Sequence, residues 1–365
     1  MVEITTLTAQ APALFEQIAK MGHENVVFCY DDATGLKAII GVHNTVLGPA
    51  LGGARMWFYE NEADAVLDVL RLSRGMTFKN SIAGLNLGGG KAVIIGDART
   101  QKNEALLRRF GKFVQSLNGK YITAEDVGMN ERDMDYIAME TQYVTGLAES
   151  RGGAGDPSPY TALGTYVGMK AAAKVAYGTD SLAGKKVAIQ GAGNVGEHII
   201  DHLEKEGAKI FVTDIYPDRL RAIAQKYKVE IVEKDDIYDL DVDIYAPCAL
   251  GATVNDETLS RLKCQIIAGC ANNQLQDEKI HGDACLEKGI IYVPDFLINA
   301  GGVINVYSEY AKLPKQWVVS KTESLYDACL EVLKTSLAEK RNAQDVAIAI
   351  AQKRIDAIAK IKTVR

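Results

Sequence analysis

Residues 186–214 restrict the fold more than any other stretch of this chain. Lys186–Gln190 reads KVAIQ, a short apolar run of the kind that forms a buried strand. Gly191-Ala-Gly-Asn-Val-Gly196 follows at once, and Val195, Ile199, Ile200 and Leu203 then recur at helical spacing. A second strand-like run, Lys209–Asp214, ends on an acid. A strand that enters a glycine turn and leaves as a helix aims free N–H groups at one point, where phosphate oxygens bind; an acid closing the next strand accepts bonds from ribose hydroxyls. The pattern predicts a dinucleotide-binding β-α-β unit. Gly191, Gly193, Asn194, Val195 and Gly196 would surround the pyrophosphate, with Asp214 at the ribose. The Asp214 carboxylate would repel a 2′-phosphate, so NAD is expected rather than NADP; Arg219 is the first arginine after it.

Strand-like runs recur at Val242–Ala246, Gln265–Ala268 and Ile290–Val293, alternating with helical segments. Alternation of this kind predicts a parallel, doubly wound sheet with helices on both faces. Upstream the pattern differs. Asn25–Cys29 and Leu36–His43 are β-rich runs separated by DDATG, which has hairpin chemistry. Asn61–Arg74 predicts an amphipathic helix capped by Asn61, with Glu62 and Asp64 suited to its N-terminal dipole. Short strands are expected at Ala92–Ile95 and Tyr121–Thr123, around a helix at Asn103–Leu117. Ser150–Pro159, SRGGAGDPSP, ends regular structure and is the expected interdomain crossing. The expected class is therefore α/β in two domains: an N-terminal α/β substrate and oligomerisation domain, residues 1–148, and a Rossmann doubly wound domain, residues 149–335. The helical C-terminal segment, residues 336–365, is expected to rejoin the first domain.

Length and composition agree with two packed domains: 365 residues, 47% hydrophobic and 24% charged. A net charge of −6 without a basic tract argues against nucleic acid as a partner. No apolar run approaches the roughly 20 residues of a bilayer span, and the N-terminal residues lack the basic and apolar regions of a signal peptide. The six cysteines are scattered, without the spacing of a zinc site or disulfide framework, so buried reduced thiols and no metal are expected. A cytoplasmic, non-membrane protein fits.

Two lysines stand in glycine-rich, apolar surroundings: Lys79 in RGMTFKN, and Lys91 after three glycines in LNLGGGKAVIIGD. Burial of an ammonium is costly and lowers an amine pKa, so such a lysine is a candidate base. Asp126 lies in TAEDVG. Together the three supply an anion anchor, an amine base and a carboxylate proton carrier.

Nine motifs, HNTVLGPALGGARMW, LRLSRGMTFKN, GLNLGGGKAVIIGD, GKYITAEDVG, GDPSPYTALG, GAGNVG, IYAPCALGATVNDET, AGCANNQL and INAGGVINV, span nearly the whole chain. In them the chain resembles the amino acid dehydrogenases, the family acting on glutamate, leucine, phenylalanine and valine. The resemblance implies that Lys79 binds the substrate carboxylate, that Lys91 is the catalytic lysine and that Asp126 works with it. Gly52, Gly53 and Met76 would lie against the substrate, and Asn272 near its amino group. Thr161, the glycine loop, Asp214, Ala249, Leu250, Asn273 and Asn299 would contact the cofactor. The implied reaction moves hydride from Cα of an L-amino acid to NAD, after which water attacks the iminium to give ammonia and a 2-oxo acid. Lys91 would activate that water, and Asp126 would carry protons to and from nitrogen.

Glutamate enzymes of this family hold the substrate's second carboxylate with a lysine before the Gly-Gly pair and a later serine. Here those positions are Leu51 and Val306. An apolar lining of Leu51, Ala124, Val303 and Val306 cannot compensate a second carboxylate, which points to branched aliphatic substrates, leucine favoured, with valine and isoleucine. The alternatives are a valine- or phenylalanine-preferring member of the family, or a non-catalytic NAD-binding regulator. The resemblance also implies a homo-oligomer, an octamer built through the N-terminal domain.

Overall fold

The computed structural model describes residues 14–249 and 251–363. They divide into two compact units: one ends at Thr77 and resumes over Asn86–Gly153, and the other comprises Phe78–Leu85 with the residues from Ala154 onward.

The first unit contains α1 (Leu14–Met21), β1 (Asn25–Asp31), β2 (Leu36–Asn44), β3 (Ala50–Leu51), β4 (Ala54–Trp57), most of α2 (Glu62–Ile82), β5 (Gly88–Ile95), α3 (Glu104–Ser116), β6 (Tyr121–Ile122) and α4 (Glu131–Ala138). The strands form a mixed sheet in the order β1-β2-β5-β3-β6, with β4 also paired to β5. β1, β2 and β5 are antiparallel neighbours, whereas β3 and β4 run parallel to β5. Alternation along β5 separates two apolar layers. Ala92 and Ile94 join the core that includes Leu107, Phe110 and Met134, and Val93 joins the one with Ala65, Val69 and Leu70 of α2. Lys91, two residues before Val93, therefore projects on the α2 face of the sheet.

Asn61 caps α2 as expected, accepting from the Asp64 N–H at 3.0 Å. The helix does not stop at Arg74, however, but runs on to Ile82, so Lys79 lies within its last turn rather than beyond it. Gly75, next after Arg74, does not break it. That glycine is exposed, a Cβ in its place would have no heavy atom within 4 Å, and it costs an otherwise regular helix only about 1 kcal/mol.

The second unit continues with α5 (Ser158–Tyr177), β7 (Lys186–Gln190), α6 (Asn194–Glu206), β8 (Lys209–Thr213), α7 (Pro217–Lys226), β9 (Val229–Ile231), β10 (Ile244–Pro247), α8 (Asp256–Arg261), β11 (Ile266–Ile267), α9 (Ile280–Glu287), β12 (Ile291–Tyr292), α10 (Asp295–Ile298), α11 (Gly301–Ala311), α12 (Lys315–Glu323), α13 (Leu325–Glu339) and α14 (Ala343–Thr363). Its sheet order is β12-β11-β10-β7-β8-β9, every pairing parallel. Renumbered from β7, this is the 3-2-1-4-5-6 order of a Rossmann fold, whose switch point lies between β7 and β10. The expectation that residues 336–365 rejoin the first domain meets a different division here, since the segment Phe78–Leu85 of the expected first domain itself falls in the second unit with the C-terminal helices. There Arg354 of α14 donates to the Ser81 and Leu85 carbonyls and the Ser81 hydroxyl donates to the Ala351 carbonyl. The long tail helix is also broken near Lys340, left-handed at φ 51°, and α14 restarts with Asn342 accepting from the Asp345 N–H.

Candidate active site

In the first unit the candidate base is buried and paired. Lys91 pairs in register with Gly41 on β2, its side chain is 8% exposed, and its Nζ lies 3.1 Å from Asp126 Oδ1. The segment carrying Asp126 is held beside β4 by the Ala54 N–H donating to Ala124 O at 2.8 Å and the Met56 N–H donating to Val127 O at 2.9 Å. Burial by itself would push the Asp126 carboxyl up, but the cations Lys91 and Arg55 together outweigh it and hold it below the ordinary carboxylate range. Arg55, which lies in HNTVLGPALGGARMW but has no role among the sequence expectations, donates from Nε to Asp126 Oδ2 at 2.9 Å and from Nη1 to Asp68 Oδ2 at 3.1 Å.

The glycines around this pair have a packing duty first. A Cβ at Gly52 would lie 1.7 Å from the Gly90 carbonyl oxygen, and one at Gly53 would lie 2.3 Å from the Glu125 oxygen. One at Gly90 would meet the Tyr121 ring at 2.7 Å. The three glycines before Lys91 form the start of β5 itself, and what approaches them closely is protein. Met76 reaches Gly52, with its Cγ 3.1 Å from that Cβ position. Leu51 and Ala124 are buried in this unit.

In the second unit each loop glycine has a separate task. Gly191 has φ 112°, and a Cβ there would press on the backbone of Cys248 and Ala249 at 2.9 Å. A Cβ at Gly196 would strike the Gly191 carbonyl oxygen at 2.2 Å, so that glycine seats α6 against the strand. Gly193 is open, its nearest neighbour being Arg219 Nη1 at 3.7 Å, and no side chain caps α6 where Asn194 and Val195 begin it. A turn closed on two sides and open on the third, at an uncapped helix start, fits a pyrophosphate. Asp214 follows β8 directly and accepts from the Ala192 and Tyr216 N–H groups at 2.8 and 2.9 Å, and Arg219 stands 3.6 Å from its Oδ2.

Lys79, also in this unit, donates to Asn299 Oδ1 at 2.7 Å. Asn299 in turn donates to Asn272 Oδ1 at 2.7 Å and to the Cys270 carbonyl at 3.1 Å. Asn273 takes a left-handed φ of 52°, and its N–H donates to the Asp295 carboxylate. Asp295, not named among the sequence candidates, is buried beside Asn273. Burial raises its pKa against the opposing pull of the Asn273 and Phe296 N–H groups and Lys79. Thr161 of α5 donates to the carbonyl of Pro157, the residue before the helix, and its Oγ1 would meet a Cβ at Gly302 at 2.7 Å. Val303 is buried in α11 and Val306 is partly exposed. Leu250 lies outside the described residues.

All six cysteines are free, five of them buried and Cys248 partly exposed. Among the described residues, no group of three or more His, Cys, Asp or Glu is placed to hold a metal, and no helix is long and apolar enough to cross a membrane.

Comparison with known proteins agrees over nearly all of the chain. The profile described as Glu/Leu/Phe/Val dehydrogenase, dimerisation domain, matches residues 23–143, and that of Glutamate/Leucine/Phenylalanine/Valine dehydrogenase matches 152–216 and 213–362. The leucine dehydrogenase of Bacillus subtilis is 53% identical over 343 residues, 94% of either chain. The crystal structure of L-tryptophan dehydrogenase from Nostoc punctiforme superposes with a TM-score of 0.84 at 42% identity, covering 94% of this chain and 99% of that one. A hetero-hexameric glutamate dehydrogenase from Thermus thermophilus, 20% identical over 98% of this chain and 99% of its own, shares the fold with a TM-score of 0.77. Matched over both of its units and identical to a relative at more than half of the aligned positions, this chain belongs to the glutamate/leucine/phenylalanine/valine dehydrogenase family and is an amino acid dehydrogenase, an oxidoreductase that works with a nicotinamide cofactor.

Proposed function

We propose that the chain catalyses the reversible, NAD-dependent oxidative deamination of branched aliphatic L-amino acids, leucine ahead of valine and isoleucine, to 2-oxo acids and ammonia. The observation that carries the chemistry is the buried Lys91–Asp126 pair, an amine and a carboxylate held 3.1 Å apart in surroundings that exclude most water. Support for leucine comes from the 53% identical leucine dehydrogenase. Support for NAD comes from Asp214, an acid at the ribose position that would repel a 2′-phosphate and that already pairs with the nearby Arg219 at 3.6 Å.

The cofactor, held by the glycine loop and Asp214 with Thr161, Ala249, Asn273 and Asn299 as further contacts, supplies the hydride acceptor for Cα–H. Lys79 binds the substrate carboxylate, which competes well for the ammonium because a charged acceptor bonds more strongly than the neutral Asn299 amide. Asp126 takes a proton from the substrate ammonium, so that nitrogen can donate electrons as Cα–H leaves. Lys91, as the free amine, then removes a proton from the water that adds to the iminium carbon. Asp126 returns a proton to nitrogen and, as the C–N bond breaks and ammonia departs, the freed carboxylate accepts the carbinolamine hydroxyl's proton, leaving the 2-oxo acid.

Leu51, Ala124, Val303 and Val306, the residues proposed for the substrate side chain, would offer it no charged partner, so glutamate should be disfavoured by several kcal/mol. An aromatic preference is the second reading, favoured by the 42% identical tryptophan enzyme. The dimerisation-domain match supports self-association, and we take the assembly to be an octamer acting in the cytoplasm. Formation of NADH, followed by absorbance with leucine, valine, phenylalanine and glutamate in turn, separates these readings. Leucine should give the highest kcat/KM. A preference for phenylalanine would select the second reading, and no reduction with any amino acid would end both.

A further inference from the structure

Arg55 makes a contact that the roles above leave unexplained. Along β4, Ala54 and Met56 enter the core beneath the sheet, so Arg55 turns to the opposite, α2 face. It pairs in register with Val93 on β5, two residues from Lys91 on that same face. Its guanidinium addresses two carboxylates at once: Nε donates to Asp126 Oδ2 at 2.9 Å, and Nη1 donates to Asp68 Oδ2 at 3.1 Å. Asp68, on α2, is itself fixed by the Tyr59 hydroxyl at 2.6 Å. The result is a row of alternating charge, Lys91, Asp126, Arg55 and Asp68, closed by a phenol. The side chains of the four charged members are 8%, 21%, 24% and 27% exposed.

We propose that Arg55, anchored by Asp68 and Tyr59, is a positioning residue that occupies one oxygen of Asp126, leaving the other for Lys91 and keeping the carboxylate from fixing that lysine as a permanent ammonium. This rests on the roles given to Lys91 and Asp126 above. A buried lysine facing a single carboxylate is stabilised in its charged form, the opposite of what a base needs. Sharing the carboxylate with a second cation weakens its field at the amine, and a positive charge one residue pair away on the same face adds to that effect. Arginine suits the task because its planar fork reaches two acceptors in a fixed geometry and stays charged throughout the working pH range. The groups facing Asp126 are Lys91 from β5 and Arg55 from β4, with Asp68 and Tyr59 behind Arg55; Tyr121 on β6 is turned to the Gly52 carbonyl. The depressed Asp126 carboxyl accords with two cations outweighing its burial.

The test uses the full-length Arg55→Met, Arg55→Lys and Tyr59→Phe variants, with kcat and KM for leucine measured across pH. In parallel, the pH midpoint for acetylation of Lys91 by acetic anhydride is read by peptide mass spectrometry on the free protein. In Arg55→Met the rising limb of log kcat/KM should move up by about one to three pH units, lowering the rate about tenfold per unit at any pH beneath it. The Lys91 acetylation midpoint should rise in step. Arg55→Lys should recover part of both shifts, and Tyr59→Phe, which keeps the cation and loosens its anchor, should show a smaller shift of the same sign. If Arg55→Met does not fold, the other two variants carry the test. A limb and a midpoint that stay at their wild-type positions in any folded variant, whatever its thermal stability, would reduce Arg55 to packing. A midpoint that shifts in a protein whose wild type forms no NADH with leucine would uphold the positioning role and overturn the proposed reaction instead.

Discussion

Replacing Gly52 by alanine tests whether the Gly-Gly pair is set by backbone packing. The new methyl carbon would stand 1.7 Å from the Gly90 carbonyl oxygen, 2.8 Å from the Gly90 carbonyl carbon and 3.1 Å from Met76 Cγ. Ordinary carbon–oxygen contact needs about twice the shortest of these distances, so β3 and β5 must part by roughly 1.5 Å. β5 cannot recede freely, since it is bonded on its other side to β2. β3 cannot move without straining the Gly52 N–H bond to Ile122 O at 3.2 Å and the Tyr121 hydroxyl bond to Gly52 O at 2.7 Å. Overpacking by a methyl typically costs about 1–3 kcal/mol, and one lost buried hydrogen bond about 1 kcal/mol more. A loss of about 2–4 kcal/mol is expected, which at roughly 2–4 °C per kcal/mol for a domain of this size lowers Tm by roughly 4–16 °C. Urea and thermal unfolding followed by the fluorescence of Trp57, in the same unit, would measure it. Gly75→Ala is the internal control: with open space around its Cβ in an exposed helix turn, it should stabilise by about 1 kcal/mol. A Gly52→Ala protein with wild-type Tm and only weakened substrate binding would refute the packing argument.

Two further outcomes concern pH and the cofactor. Burial holds His23 and His43 near pKa 4, below the ordinary value of 6.5, so the unfolded chain binds protons first as the pH falls. Their contribution is complete above about pH 6.5 and shrinks towards pH 4. Unfolding free energy should drop by about 2 kcal/mol per histidine between pH 7 and 5, and denaturant midpoints that do not move would contradict it. Asp214→Ala removes the acceptor of the Ala192 and Tyr216 N–H groups as well as the ribose partner, so NADH affinity measured by fluorescence titration should fall at least about tenfold. Unchanged affinity would place the ribose elsewhere.

What the sequence disclosed was what is local in it. The strand, glycine turn, helix and closing acid lie within thirty residues of one another, and their order alone dictates the geometry of the loop. Asn61 could be read as a cap because a cap acts on the next three residues. Arg55 could not be read, because its partner Asp126 is brought to it by sheet pairing across 71 positions of sequence. β3 and β4, two and four residues long and separated by the Gly-Gly pair, are too short to show a period. The true length of α2 was hidden by Gly75, whose cost in propensity is small beside the tertiary packing of the apolar face. The side chains that fasten α14, with partners at Ser81 and Leu85 more than 260 residues away, are reported by no periodicity.

The role of Lys91 as the base in an NAD-dependent oxidation of leucine is tested most directly by comparing wild-type and Lys91→Ala proteins. Leucine-dependent NADH formation is measured on both, and NADH binding is titrated on both. The variant should bind NADH as the wild type does and lose turnover by at least about a hundredfold. Turnover near the wild-type rate in a Lys91→Ala protein would contradict that role.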